Sequence, residues 1–209
     1  MNPDLLLLFT RYPEPGKVKT RLIPALGAEG AANVHQSLTV HILQLVRAFT
    51  LASTTDLIVC FDGSHVRQMQ NLFGAEFCYQ PQSPGDLGQR MFSALAEALR
   101  QGRRRVVLMG SDCPEITARI LSSAFSQLTE YDLVLGPARD GGYYLIGLTA
   151  PYPELFQDLP WGTDEVLALT QTRAAQLGLK TALLEPLTDI DRPEDLPGWE
   201  KITRQAGYE

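Results

Sequence analysis

Short apolar runs alternate along the chain with longer stretches in which apolar residues recur every three or four positions. The runs Asp4–Thr10, Asp56–Phe61, Ala75–Tyr79, Arg105–Gly110, Asp132–Gly136, Tyr143–Leu148 and Lys180–Glu185 predict strands. Most are apolar almost throughout, as strands covered on both faces are. The periodic stretches predict helices. One runs from Glu29 to about Ala52, with Ala32, His35, Leu38, Ile42, Leu45 and Phe49 on a single stripe; another is Asp86–Arg100, with Leu87, Met91, Leu95 and Leu99. Further helices fit Glu115–Thr129, Thr163–Leu177 and Pro193–Gln205, several of them opened by Asp, Thr or Pro. Strand, helix, strand, repeated, is the signature of an α/β fold with a mainly parallel sheet. No internal repeat, low-complexity tract or linker interrupts it, so one domain over residues 1–209 is expected.

Composition narrows the function classes. The chain has 209 residues, of which 44% are hydrophobic and 20% charged, an ordinary globular balance. Its net charge of −6 has the wrong sign for an obligate nucleic-acid binder. The longest apolar run, Leu5 to Phe9, is far short of the ~20 residues that a membrane-spanning helix needs. Asp4 stands where a signal peptide would carry basic residues. Cys60, Cys78 and Cys113 are odd in number and widely spaced, which argues against disulfides and structural zinc and leads us to expect a cytoplasmic protein.

In parallel sheets ligands bind beyond the carboxyl ends of the strands, which directs attention to four loops. The first, Arg11-Tyr-Pro-Glu-Pro-Gly-Lys-Val-Lys-Thr-Arg-Leu22, places Arg11, Lys17, Lys19 and Arg21 directly after the first strand. Pro13, Pro15 and Gly16 keep it out of a helix. Four cations at a strand tip of an acidic protein suit a polyphosphate, with Arg forking its hydrogen bonds and Lys acting as a point charge. A solvated loop without function is the plainer alternative. Gly16-Lys17 resembles the end of a P-loop, but Arg11 and Val18 stand where that motif needs Gly and Ser or Thr.

In Val106-Val-Leu-Met-Gly-Ser-Asp-Cys-Pro114 a buried strand delivers Asp112 at its tip, and Pro114 is placed to open a helix. One carboxylate there can serve Mg²⁺ or Mn²⁺, which complete their shells with water and phosphate oxygens; alternatively it caps the next helix. Gln80–Met91 offers the Gln82 amide for a base edge, Gly85 for close backbone approach, Asp86 as a cap and Arg90 one turn inside the helix. In Gly136–Gly147, Gly141 and Gly142 suggest backbone lying against a ligand. Asp140 suits a hydroxyl or a metal there, and Tyr143 suits either the site or the core. Asp189, Asp191, Glu194 and Asp195 precede the terminal helix, where they can cap it; Asp189 and Asp191 can equally supply a second metal ligand. His35, His41 and His65 form no metal-ligand spacing and are read as structural, Cys113 as core, and Arg103–Arg105 as a solvated lead-in to a strand.

Five segments in order resemble the nucleotide-diphosphosugar transferase (GT-A) superfamily, and in particular a bacterial family of CofC-like transferases also described as arsenosugar-associated glycosyltransferases. They are Arg11-x-Pro-x-Pro-Gly-x-x-Lys-Thr-Arg-Leu22, Gly85-Asp-Leu-Gly-x-Arg-Met91, Gly110-Ser-Asp-Cys-Pro114, Asp140-Gly-Gly-Tyr-Tyr-Leu-Ile-Gly147 and Asp189-Ile-Asp-x-Pro-Glu-Asp-Leu196. The resemblance implies a three-layer α/β/α Rossmann-like GT-A fold. It implies that Lys19 and Arg21 hold a triphosphate, that Asp112 binds Mg²⁺ or Mn²⁺, and that Asp191 is the second ligand. Gly85, Asp86 and Gly88 would lie near the base or ribose, with Gly141 and Gly142 near the acceptor. The Gly-rich opening turn usual in guanylyltransferases of this superfamily is absent here.

Three functions are compatible with these loops. The first is a nucleotidyltransferase moving NMP from a nucleoside triphosphate to a small phosphorylated acceptor, with Lys19, Arg21 and Asp112 at the chemistry. Arg11, Gly16, Lys17, Gln82, Gly85, Asp86 and Gly88 would then hold the nucleotide, and Asp140, Gly141, Gly142 and Tyr143 the acceptor. The second is a glycosyltransferase using a nucleotide sugar. The third is a silent nucleotide-binding module. The single acid at Ser111-Asp-Cys-Pro, where many glycosyltransferases carry Asp-x-Asp, favours the first.

Overall fold

A computed structural model describes residues 2–206. Seven strands form one sheet: β1 (Asp4–Arg11), β2 (Thr55–Asp62), β3 (Tyr79–Pro81), β4 (Arg105–Gly110), β5 (Leu133–Pro137), β6 (Tyr143–Leu148) and β7 (Thr181–Leu183). Their order is β3-β2-β1-β4-β6-β5-β7. All pairings are parallel except those of β6, which runs against both β4 and β5.

Among the described residues six α-helices accompany the sheet: α1 (Ile23–Leu51), α2 (Val66–Phe73), α3 (Leu87–Arg100), α4 (Ala118–Gln127), α5 (Val166–Gln176) and α6 (Leu196–Ala206). Side chains of β1 alternate between two cores, as the pleat requires. Leu6 and Leu8 pack with α1, α2 and α4, while Leu5, Leu7 and Phe9 pack with α3 and α5. The result is the three-layer α/β/α arrangement of the GT-A fold. Burial on both faces explains why β1 and β4 are apolar without alternation. A smaller core joins Trp199 of α6 to Leu38 of α1 and to Ile190.

Several elements differ from the sequence reading. The third strand is Tyr79–Pro81 rather than Ala75–Tyr79, because pairing with Val59–Phe61 begins only at Tyr79. Pro81 is tolerated because β3 is an edge strand. Helix α2 was not expected; it is eight residues long, buries Met69 and Phe73 one turn apart, and is capped by the His65 side chain. Helix α1 starts before Glu29 but is interrupted at Gly27 (φ 70°, ψ 170°), which only glycine adopts readily. Pro114 does not open α4; Thr117 caps it. Arg103 and Arg105 are not solvated: they pair with Asp56 and Asp4 and lock the strand ends far from the loops described next. Among the described residues no helix is long and apolar enough to cross a membrane.

Candidate functional site

The carboxyl ends of β1 and β4, Gln82 directly after β3 and the start of β6 surround a cleft of about 650 Å³. After β1 the chain turns through Pro13 and Pro15 and reaches Lys19 in the left-handed conformation (φ 46°, ψ 43°). A side chain with a β-carbon there costs roughly 1–2 kcal/mol, and such strain is concentrated at functional positions. It aims the Lys19 side chain inward, where only 5% of it is exposed. The ammonium stands 2.8 Å from Asp112 Oδ1 and 3.9 Å from Asp191 Oδ1. Arg21 Nη1 donates to Asp191 Oδ2 at 2.6 Å.

Both acids are free of the capping roles open to them in the sequence. Asp112 leaves the cap of α4 to Thr117. Asp195 accepts the N–H groups of Asp191 and Arg192, so the terminal turn needs nothing from Asp191's side chain. Asp112 Oδ1 is sealed against Lys19 although its side chain is 44% exposed, which leaves Oδ2 on the cleft side. Burial by itself would raise the Asp112 pKa. The Lys19 charge, with His35 alongside, more than reverses that and holds the carboxyl well below the ordinary range.

His35 lies beneath this pair. Its Nε2 donates to the Arg11 carbonyl at 3.1 Å, since a carbonyl only accepts. Nδ1 is then buried without a hydrogen bond, 3.8 Å from Asp112 Oδ1. The hydroxyls of Thr10, Thr39 and Ser111 bond one another in the layer below, fixing β1, α1 and β4 together at the site floor.

Asp140 and Asp189 also line the cleft. Burial, and then the charge of Asp140, push the Asp189 carboxyl up to about 6. Four acids (Asp112, Asp140, Asp189 and Asp191) thus line the cleft with Lys19 and Arg21. Among the described residues no group of three metal-ligating side chains converges. Asp112 and Asp191, both reached by one ammonium, could hold Mg²⁺ or Mn²⁺ only in partnership with water and phosphate oxygens, which is how Mg²⁺ is usually bound.

The remaining candidates divide. Arg11 reaches the cleft but is forked onto Asp62 Oδ2 (2.9 and 3.2 Å), which Arg90 also meets at 3.0 Å. Burial opposes ionisation of Asp62, and these guanidiniums override it and lower its pKa. Lys17 lines the cleft and pairs with Glu14 at its exposed rim. The Gln82 amide is committed: its nitrogen donates to the carbonyls of Thr10 and Cys60, and its oxygen accepts from Arg90. Asp86 caps α3 in a reciprocal capping box with Gln89, with Gly85 directly before it. Gly16 lies in the turn before Lys17.

On the other wall, Gly142 and Tyr143 face the cleft, and Gly142 N–H donates to Asp140 Oδ1 at 2.9 Å. Gly141 (φ 91°) abuts the backbone of Asp164, where a β-carbon would lie 2.2 Å from the carbonyl oxygen. Gly88 faces Trp161 rather than open cleft; a β-carbon there would sit 2.7 Å from the indole. Trp161 itself lines the cleft and escaped the sequence reading, as did His35's place in the site. The one signal for Trp161 was a tryptophan in a Pro-Trp-Gly turn. Cys113 is buried and burial pushes its thiol pKa up, so it is no nucleophile.

Comparison with known proteins gives the chain's family and fold. The profile of a family described as "uncharacterized protein conserved in bacteria (DUF2064)" matches residues 45–163, more than half of the chain. A curated relative, the phosphoenolpyruvate guanylyltransferase of Chloroflexus aggregans (strain MD-66 / DSM 9485), is 32% identical over 121 residues. That match takes in 53% of this chain and 57% of the relative, so the chain spans little more than half the length of the curated relative it matches. Among solved structures, a protein of Desulfovibrio desulfuricans G20 provisionally named a nucleotide-diphospho-sugar transferase is 30% identical, with 98% of both chains covered and a TM-score of 0.83. The 4-diphosphocytidyl-2C-methyl-D-erythritolsynthase of Anaerococcus prevotii DSM 20548 shares the fold, with a TM-score of 0.63, 97% of both chains covered and 10% identity. The chain therefore belongs to the bacterial family described as DUF2064, and it is built on the fold of the nucleotide-diphospho-sugar transferases.

Proposed function

We propose that the protein is a nucleotidyltransferase that moves a nucleoside monophosphate from a nucleoside triphosphate to a small, phosphate-bearing acceptor. The observation that carries this reading is the strained Lys19, buried between Asp112 and Asp191 with Arg21 beside it. The triphosphate lies along Arg11–Arg21, where Lys17, Lys19 and Arg21 offer charge to its oxygens. An ionised oxygen of the acceptor's phosphate attacks the α-phosphorus in line. A new P–O bond forms, the bond to the bridging oxygen of the β-phosphate breaks, and pyrophosphate leaves with the electron pair. No proton has to be removed, which fits a site without an activated nucleophile or a dedicated base.

The donor set of Asp112 and Asp191 fits Mg²⁺ or Mn²⁺, and such an ion would screen the α-phosphate's negative charge from the incoming anion. The chain's own contribution is positioning: Lys19 orders the two acids, and Arg21 sits where the departing phosphates gather charge. The Chloroflexus relative, named a phosphoenolpyruvate guanylyltransferase, supports a triphosphate donor. The Desulfovibrio neighbour's name leaves a sugar nucleotide as the second reading, with the metal acids holding a diphosphate and attack falling on the sugar carbon.

Melting midpoints measured with nucleoside triphosphates and sugar nucleotides, each with Mg²⁺, Mn²⁺ or EDTA, separate the two, since ligands that bind the native state raise the midpoint. Metal-dependent stabilisation by one triphosphate, lost in Asp112→Ala, is expected. A response to sugar nucleotides alone would replace the proposal with glycosyl transfer. No response to either class would overturn both.

A further inference from the structure

The cleft is lined by residues of two kinds. The cations that line it, Arg11, Lys17, Lys19, Arg21 and Arg90, come from the β1 loop and from α3, and Arg90 is turned towards Asp62 and Gln82. Trp161, Tyr143, Leu87, Met91, Ile146 and Val166 also line the cleft and carry no charge, and Leu87 and Met91 flank Arg90 on α3. Trp161 and Tyr143 stand nearly perpendicular (84°), their ring centroids 6.2 Å apart, and so form a corner. The Tyr143 hydroxyl is buried beside Thr170, so its ring rather than its polar end is turned to the cleft. The corner is built in: Gly88 lacks the side chain that would displace the indole, and Gly141 lets the 138–142 turn lie against Asp164.

Accepting the nucleotidyl-transfer reading above, we infer that this corner seats the body of the acceptor, and that this body is uncharged and carries a ring or comparable apolar face. A phosphorylated acceptor then binds in two parts. Its phosphate meets the α-phosphorus on the side opposite the pyrophosphate that Arg21 serves, and its body lies against Trp161, on a wall whose lining cation, Arg90, is already turned onto Asp62 and Gln82. An aromatic corner selects for flat or ring-shaped groups through area and edge-to-face contact.

The test uses phenyl phosphate and methyl phosphate, probes of equal charge that differ in the ring, added to protein with a nucleoside triphosphate and Mg²⁺. Trp161 reports directly in a Trp199→Phe background, because Trp199, the second tryptophan, is buried on α6 against His41. Phenyl phosphate is expected to bind about tenfold or more tightly than methyl phosphate and to change Trp161 emission. That preference should vanish in Trp161→Ala and weaken in Trp161→Phe, which keeps a ring should the alanine variant fail to fold. Equal affinities, or a preference that survives both substitutions, would overturn the inference. So would a change in Trp161 emission caused by the triphosphate and not by tripolyphosphate, since that gives the corner to the nucleobase. A ring preference without any nucleotide-dependent rise in melting midpoint would instead overturn the nucleotidyl reading and leave the corner as a ring-binding site.

Discussion

The backbone N–H of Ile190 donates to the carbonyl oxygen of Asp112 at 2.9 Å. This single bond ties the tip of β4 to the segment before α6, and it sets Asp191 beside Asp112 although the two are remote in sequence. Ile190 in turn is buried with Leu38 and Trp199, so the docking of α6 onto α1 fixes the distance between the acids.

Removing the charge between those acids has a consequence that acid titration reads. Asp112's carboxyl is held below its ordinary 3.8, so the pair contributes stability that is present above that pH and lost as pH falls through the lowered value. The native protein is expected to lose stability more steeply than Lys19→Met between about pH 5 and pH 3. Lys19→Gly, relieved of the left-handed strain, should be the more stable of the two variants by about 1 kcal/mol. Denaturant midpoints across that range check both.

Asp189 works in the opposite direction. Its folded value of about 6 lies above the ordinary 3.8, so the native state keeps a proton that the unfolded chain has lost. Stability therefore falls as pH rises from about 4 to about 6. In EDTA, Asp189→Asn should melt above the parent at pH 7.5 and together with it near pH 4. Coincident midpoints at both would show that burial and Asp140 impose no such load.

Arg21→Ala separates binding from folding. Its side chain is half exposed, and exposed ion pairs are worth about 0–1 kcal/mol, so the melting midpoint should barely move. Triphosphate affinity in calorimetry should fall about tenfold, the scale of one charge-assisted contact. A large loss of stability instead would mark the Arg21–Asp191 pair as structural.

Thiol reagents should find one reactive cysteine in the native protein and three after unfolding. Cys78 is exposed, whereas Cys60 and Cys113 are buried with raised pKa values, Cys60 at about 12. Turnover should persist once Cys78 is blocked.

The parts of the fold that the sequence made legible are those where one physical demand acts alone. β1 and β4 are buried on both faces and are apolar throughout; Asp86 precedes a helical stripe and caps it. β3 was misplaced because three residues at a sheet edge leave hardly any pattern, and α2 was missed because two buried residues in eight do not establish a period. At the site, the cations and acids were visible as residue types at strand tips. What they touch was not: Arg11 meets Asp62, and Gln82 spends its amide on two carbonyls, pairings that exist only once β1, β2 and α3 are assembled. Trp161 was invisible for a related reason, since its place depends on the side chain that Gly88 lacks.

The reversal of β6 separates two evolutionary freedoms. In a wholly parallel sheet each strand would reach the ligand end only after a long helical crossover, so reshaping one wall would disturb a helix. Here β5 and β6 are joined by the short turn 138–142, and the residues entering β6 line the cleft directly. Side-chain changes at Asp140 and Tyr143 can recut that wall of the cleft while the backbone stays in register, because the turn's path is held by the Leu167 N–H on the Gly141 carbonyl and the Arg139 N–H on the Leu187 carbonyl. What the Tyr143 wall admits can therefore change without disturbing the cluster of Lys19, Asp112 and Asp191.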